Sequence, residues 1–447
     1  MHSVTAGGEL KRKLAKHSTP RLWWLSPVAV SLFVAVASIV PTALLGDDFF
    51  RTLWRSPKSV TSHTLFLFGC GAAALAFGSL IVIAIMATGE TLSAEWPVLN
   101  HRAAHLMRRA STLLTTLTVT GYLGFAFLIA QAGIQPAALF APSDDSGAPL
   151  RDSIGTIPGV TTMTQFGLAA VVISSVLLVN EYSRSELAKL LIVIGLALPR
   201  AYIFSERLAI LELVVPVGVV LAARMAAQRG MWRRAAQLLP IVSLVALLVM
   251  FGAFEYFRSW NYYRDHTTMS YPQFTVSRFA GYYTTALNNG QLVLDHLNWP
   301  NRLPYDTIEG FWVAPGIESV GLYERLGGHL PPYGRPRTES IYAGVLDHFG
   351  TPEFNNQSGY VGPFIDYGTV GGLVFFLVAG LIAGFLYSAF CQARPVGLLL
   401  YPLFFLGLVE MPRYIYWPQG RTTYAWIALV IVTVLVARSR VKVGRGP

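Results

Sequence analysis

Four groups of charged and aromatic residues stand out against a strongly apolar background. The first is Pro199-Arg200-Ala201-Tyr202-Ile203-Phe204-Ser205-Glu206-Arg207, followed by Glu212. Charge at membrane depth is costly unless it is paired or wet, so such a group marks either a site or a structural ion pair. The second group is Glu255, Arg258, Trp260, Tyr262, Tyr263 and Arg264, with Arg278 ahead of Tyr282 and Tyr283. Arginine forks match phosphate oxygens, and aromatic faces stack on sugar rings. The competing reading is an interfacial aromatic belt. The third group is His329, Arg335, Arg337, Glu339, Asp347, His348 and Glu353. It contains general-base candidates, of which we single out Glu339, Asp347 and His348, against the plainer reading of solvated loop positions. The fourth is Glu410, Met411, Pro412 and Arg413, then Tyr414, Tyr416, Trp417 and Arg421. Glu410 interrupts an apolar run, and Arg413 is its nearest partner at i+3.

The background decides how these groups are held. Of 447 residues, 53% are hydrophobic and 13% are charged, about half the charged share of an ordinary soluble domain. Lipid is the solvent that tolerates this balance. The net charge of +10 is spread between apolar runs, which points to topology signals and anionic lipid head groups rather than nucleic acid. The two cysteines, Cys70 and Cys391, lie in separate segments. We expect no disulfide framework, no metal site and no cofactor. The first apolar run is too long for a cleavable signal and is expected to remain as a span.

Hydropathy places spans near 22–45, 63–88, 111–133, 162–180, 187–200, 208–223, 235–256, 364–390, 396–412 and 422–437. A spanning helix needs about 20 residues. The fifth and sixth runs are short, so the charged joint between them is expected within the bilayer depth, facing protein or water. Segments 1–21, 89–110, 181–189, 224–234, 391–395 and 438–447 hold nineteen of the 34 basic residues and five of the 24 acidic ones. An even number of spans puts all of them on the cytoplasmic side, with both termini inside. The expectation is an all-α polytopic membrane protein with about ten transmembrane helices. Residues 1–21 form a cytoplasmic tail, 22–256 helices 1–7, 257–363 an extracytoplasmic loop, 364–437 helices 8–10 and 438–447 a second tail. The loop carries ten of the 20 tyrosines with Trp260, Trp299 and Trp312. It lacks a long helical period, so short helices and ordered segments are expected there. Gly380-Leu-Ile-Ala-Gly384 suits close helix packing. Asp366 stands at the mouth of that span as a further candidate.

Together these features resemble the bacterial O-antigen polymerase (Wzy-type) family of oligosaccharide repeat-unit polymerases. The resemblance rests on the helix number with one late loop, the Arg-bearing segment from Pro199 to Leu211 and the basic, tyrosine-rich start of the loop. Its last element is Phe364-Ile-Asp-Tyr-Gly-Thr-Val-Gly-Gly372 leading into a glycine-rich span. It covers residues from about 199 to 390. It implies a GT-C-like, metal-independent glycosyltransferase of the bacterial inner membrane. Such an enzyme polymerises polyprenyl-diphosphate-linked oligosaccharides at the outer face, with membrane lipid and a chain-length regulator as further partners. Candidate diphosphate ligands are Arg200, Arg207, Arg258, Arg264 and Arg278. Arg337, Glu410 and Arg413 are candidates for the cavity rim. An O-antigen ligase using His329 or His348, or a polysaccharide or lipid transporter, are the alternatives. On this reading Arg207→Ala and Arg278→Ala leave folding intact and abolish chain lengthening, and normal polymer from both variants would remove the diphosphate site.

Overall fold

The computed structural model describes residues 18–20, 22–86, 91–93, 99–133, 157, 159–203, 208–228, 230–260, 263–297, 302–314, 316–329 and 342–441. Its long helices are α1 (Pro27–Leu44), α3 (Ser62–Ile85), α4 (His101–Gln131), α5 (Phe166–Asn180), α6 (Arg184–Ile203), α7 (Leu208–Ala227), α8 (Met231–Glu255), α9 (Tyr271–His296), α13 (Val361–Cys391), α14 (Pro395–Glu410) and α15 (Gly420–Val441). Short helices are α2 (Asp47–Trp54), α10 (Glu309–Trp312), α11 (Leu322–Arg325) and α12 (Ala343–Phe349). The β structure among the described residues is one antiparallel pairing, Ser18–Pro20 with Thr91–Ser93. Eight of these helices are long and apolar enough to cross a membrane: α1, α3, α4, α5 with its preceding 3-10 turn, α7, α8, α13 and α15. This is an all-α, multi-pass membrane protein. The remaining two expected spans coincide with α6, which carries more charge, and α14, which has 16 residues.

Local signals set the boundaries. Thr61 Oγ1 accepts from the Thr64 amide at 3.1 Å and starts α3, and Asn100 Oδ1 accepts from the Ala103 amide at 2.7 Å and starts α4. These caps satisfy amides that a helix start leaves unpaired. α4 begins well before the apolar run near 111 and carries Arg102, Arg108 and Arg109 in its first turns. α6 and α7 are each 20 residues, not short as hydropathy suggested. The helix continues through Pro199 and Arg200 to Ile203. Phe204, Ser205, Glu206 and Arg207 fall outside the described residues.

The largest helix interface is between α3 and α13, and glycine makes it close. A Cβ on Gly380 would fall onto the Leu75 carbonyl oxygen, and one on Gly384 would sit 2.6 Å from that of Ser79. Ser79 Oγ in turn donates to the Gly380 carbonyl at 3.0 Å. Small residues replace a hydrophobic driving force that lipid does not supply. The GxxxG reading of 380–384 therefore acts in packing.

The helix ends flanking residues 256–360 form the loop end of the bundle. One expectation about this region fails. Instead of short helices alone, it contains the 26-residue α9. The polar face of α9 masked its period, because that face meets protein. Ser270 and Gln273 form its capping box. Asn288 then accepts from the Ser59 and Val60 amides at 2.7 and 2.9 Å, and Asn289 donates to Phe354 and Asn356. A second anchor is Asp366, whose side chain is fully buried. It accepts from Arg302 at 2.7 Å, from the Tyr305 and Thr307 amides and from the Thr307 hydroxyl. Gly368 breaks α13 two residues later with φ of +69°, a conformation that glycine adopts without strain.

Gly380→Ala should lower the melting temperature of the purified chain by the equivalent of about 1–3 kcal/mol, since overpacking against backbone leaves nothing to yield. Gly195→Ala, with no atom within 4 Å of the added carbon, should be neutral or stabilising. Equal effects from both would show that the close crossing is not what holds α3 to α13.

Candidate functional site

Three sets of buried charges meet at the loop end. The first centres on Arg278, on α9, whose side chain is 4% exposed. Nε donates to Glu255 at 3.2 Å, and Nη1 lies 2.7 Å from Glu353. The guanidinium stacks over Phe354 at 4.7 Å, with Tyr263 and Phe274 beyond at 5.6 and 5.8 Å. Tyr263 also donates to Glu353 at 3.1 Å, and the Arg55 guanidinium lies 5.1 Å from its ring centroid. Burial alone would lower the pKa of Arg278, but Glu255 and Glu353 outweigh it and raise it. Nη2 of Arg278 is buried without a hydrogen-bond partner among the described residues.

The second set is Arg413 and Glu410, 2.9 Å apart, the i+3 pair anticipated from sequence. Arg413 lies 5.8 Å from the Tyr282 ring and 5.5 Å from that of Tyr414. Its Nε is also buried without a partner, as are the hydroxyls of Tyr414 and Tyr416. Burial, helped by Glu410, pushes the Tyr283 hydroxyl up to about 12. Tyr282 packs against Phe354 at 5.4 Å, so it separates the Arg413 pair from the Arg278 set. A strained turn supports this arrangement. Ser358 has φ of +67°, and the amides of Ser358 and Gly359 donate to the Arg413 and Met411 carbonyls at 2.8 and 2.9 Å.

The third set is Arg421 on α15 and Glu212 on α7, 3.0 Å apart. Arg200 lies near this side, donating to Thr164 at 3.2 Å and lying 5.6 Å from the Phe125 ring. Thr164 belongs to the 3-10 turn Thr161–Gln165. Gln165 of the same turn holds its amide against the Gly420 and Arg421 carbonyls, at 2.9 and 3.0 Å.

The sequence candidates are therefore distributed along the loop end rather than gathered at one point. Arg278, Glu410 and Arg413 come together around Tyr282, inside ion pairs. Arg200 belongs to the Glu212 side. Arg264 is exposed and lies 3.7 Å from Asp265. Arg207, Arg337, Glu339 and the side chain of Arg258 fall outside the described residues. Asp347 and His348 are exposed on α12, and Nδ1 of His348 lies 2.7 Å from the Gly344 carbonyl. Leu346 of that helix packs near Leu292, and the neighbouring Phe349 stacks on His296. Leu292 is roughly 20 Å from Arg278 along α9, at 1.5 Å per residue. His348 and Asp347 thus accompany the far end of α9, and the carboxylates beside Arg278 are Glu255 and Glu353. Sequence reasoning missed Arg302, Asp306 and Glu309. The i+4 spacing of Arg302 and Asp306 was a usable signal; Glu309 had none.

The double pairing of Arg278 changes what its alanine variant reports. Removing one partner of a buried pair leaves uncompensated charge and costs about 3–5 kcal/mol, and here two carboxylates lose a shared cation. Arg278→Ala should melt far below the parent chain, whereas Arg278→Lys should recover much of the loss. An alanine variant with unchanged melting would mean that Glu255 and Glu353 do not need this cation. No family model, curated protein or solved structure matches the chain.

Proposed function

We propose that the chain is a glycosyltransferase of the bacterial inner membrane that polymerises oligosaccharide repeat units carried on polyprenyl diphosphate. Both termini are cytoplasmic in this reading, and the loop end faces the outer leaflet. The observation that carries it is the pair of buried guanidinium groups around Tyr282, each with an N–H that no described residue accepts. A buried donor without a partner costs about 1–3 kcal/mol, and such groups call for a water, ion or ligand. A purely structural ion pair in this layer gains nothing from unmet donors. Diphosphate oxygens match guanidinium forks, and the tyrosines around them offer faces to sugar rings.

The chemistry follows from the leaving group. Transfer breaks the bond between an anomeric carbon and a lipid diphosphate, on which negative charge grows. Arginine donors fixed beforehand at that charge stabilise it more in the transition state than in the ground state. Glu353, with 28% of its side chain exposed against 0% for Glu255, is the partner that a phosphate oxygen displaces from Arg278. Glu255 then keeps the guanidinium in place.

Deleting the gene should leave single repeat units on the lipid carrier, read by extraction and gel analysis. Arg413→Lys, which keeps the charge and loses the fork, should reduce chain lengthening by about 10²–10³-fold, the usual cost of one donor to developing charge. Long lipid-linked chains in the deletion strain would instead identify a ligase. An unchanged lipid-linked pool would overturn glycan transfer altogether.

A further inference from the structure

Arg55 carries an exposed guanidinium that no carboxylate engages among the described residues. It ends α2 in the left-handed conformation, with φ of +51°. Glycine or asparagine is the usual occupant of such a position, because a longer side chain crowds the backbone there. An arginine kept against that preference directs attention to its side chain. The other cations of this segment are engaged: Arg51 pairs with Asp47 at 2.5 Å, and Lys58 donates to the Ala43 carbonyl at 3.3 Å.

The backbone at Arg55 is fastened beside both Arg278 and Glu353. Trp54 Nε1 donates to the Ser277 carbonyl at 3.1 Å, and the Trp54 ring occupies the space that a Cβ on Gly281 would need. The Thr351 hydroxyl donates to the Arg55 carbonyl at 2.8 Å, two residues before Glu353. Phe354 shares a buried cluster with Phe50 and Trp54. The guanidinium groups of Arg55 and Arg278 lie 5.1 and 5.6 Å from one centroid, that of the Tyr263 ring, and so are no more than about 11 Å apart. Glu353 uses both of its oxygens. Oε1 lies 2.7 Å from Arg278 Nη1, and Oε2 accepts from the Tyr263 hydroxyl at 3.1 Å. Burial, reinforced by Glu353, raises the Tyr263 pKa, so the phenol stays protonated and remains a donor.

In the diphosphate reading, Glu353 leaves Arg278 when a phosphate oxygen arrives. A displaced carboxylate with no new partner would compete for its old place and weaken the hold on the anion. Resting on that reading, we propose that Arg55 is a positioning residue for the diphosphate: it receives Glu353, which swings from Arg278 to Arg55 while Oε2 stays on the Tyr263 hydroxyl. The exchange keeps every charge paired. Arg278 holds Glu255 and the phosphate, and Arg55 holds Glu353. It also moves the carboxylate from a buried cation to an exposed one, where solvent weakens the new pair. Glu353 therefore returns to Arg278 when the anion leaves.

The test measures binding of inorganic pyrophosphate to the full chain in detergent, by titration calorimetry. The parent should bind it, and Arg278→Lys should bind about tenfold more weakly. Arg55→Asn removes the cation and suits the left-handed backbone. It should weaken binding about three- to fivefold, the scale of an exposed ion pair, and melt close to the parent. Arg55→Gly repeats the measurement should the asparagine variant not fold. Glu353→Gln should bind more tightly than the parent, because a neutral amide competes less for Arg278. In that background Arg55→Asn should change nothing, since no carboxylate remains to be received. An equal loss in both backgrounds would mean that Arg55 attracts the anion itself, and no loss in either would mean that it takes no part; each result overturns the assignment. Parent binding that Arg278→Lys weakens and Arg55→Asn leaves alone removes Arg55 only. A parent that binds no pyrophosphate, or an Arg278→Lys variant that binds like the parent, removes the diphosphate reading and this inference with it.

Discussion

A guanidinium removed from water must be met by carboxylates, and the loop end of this bundle is assembled around that demand. Arg278 joins the end of α8, the middle of α9 and the segment at Glu353. Arg302 joins the loop to the start of α13 through Asp306 and Asp366. Arg421 joins α15 to α7 through Glu212. Apart from Arg302–Asp306, these bridges link positions far apart in the chain, so the polar layer defines how the helix ends sit relative to one another. The helices below it obey a different rule. There, apolar side chains face lipid, as on α8 with Leu238, Ile241, Val242 and Val245 exposed, and contact is close where glycines such as Gly78, Gly121, Gly380 and Gly384 allow it.

This division also explains what the sequence made legible. Apolar runs and the alternation of basic segments identify the helices, because the requirement for internally satisfied backbone leaves few alternatives in lipid. Boundaries were less visible. The charged first turns of α4 and the Pro199–Arg200 turn of α6 look like loop from composition, yet the helix runs through them. α9 was hidden for a related reason. Its face of Asn288, Asn289 and Arg278 is polar because it meets a polar protein layer, so no apolar period marks it. The sequence names Arg278, Glu410 and Arg413 as candidates, and all three lie in ion pairs at the loop end. The Glu410–Arg413 pair is visible at i+3, but the closure of Arg278 within ion pairs is not, since its partners Glu255 and Glu353 lie 23 and 75 positions away. Glu309 was illegible altogether, because its character comes from burial and from neighbours on other elements.

Burial without full satisfaction marks the layer around Tyr282: among the described residues Arg278 and Arg413 each retain an N–H, and Tyr414 and Tyr416 each retain a hydroxyl. Buried hydroxyls and an indole N–H without a partner also occur elsewhere in the bundle, at Thr115, Thr433 and Trp426, but an unmet donor on a charged guanidinium costs more than one on a neutral group. In the proposed transfer, unmet donors held in place by neighbouring carboxylates serve as preorganised partners for the negative charge of the substrate.

Glu309 makes no ion pair with Arg278 or Arg413, whose carboxylate partners are Glu255, Glu353 and Glu410. Were Glu309 bonded to Arg278 or Arg413, the pair would lower the carboxyl's affinity for a proton and occupy the donors a phosphate requires. Arg421 stands near Glu309 but is engaged by Glu212, which blunts its pull, and burial then dominates.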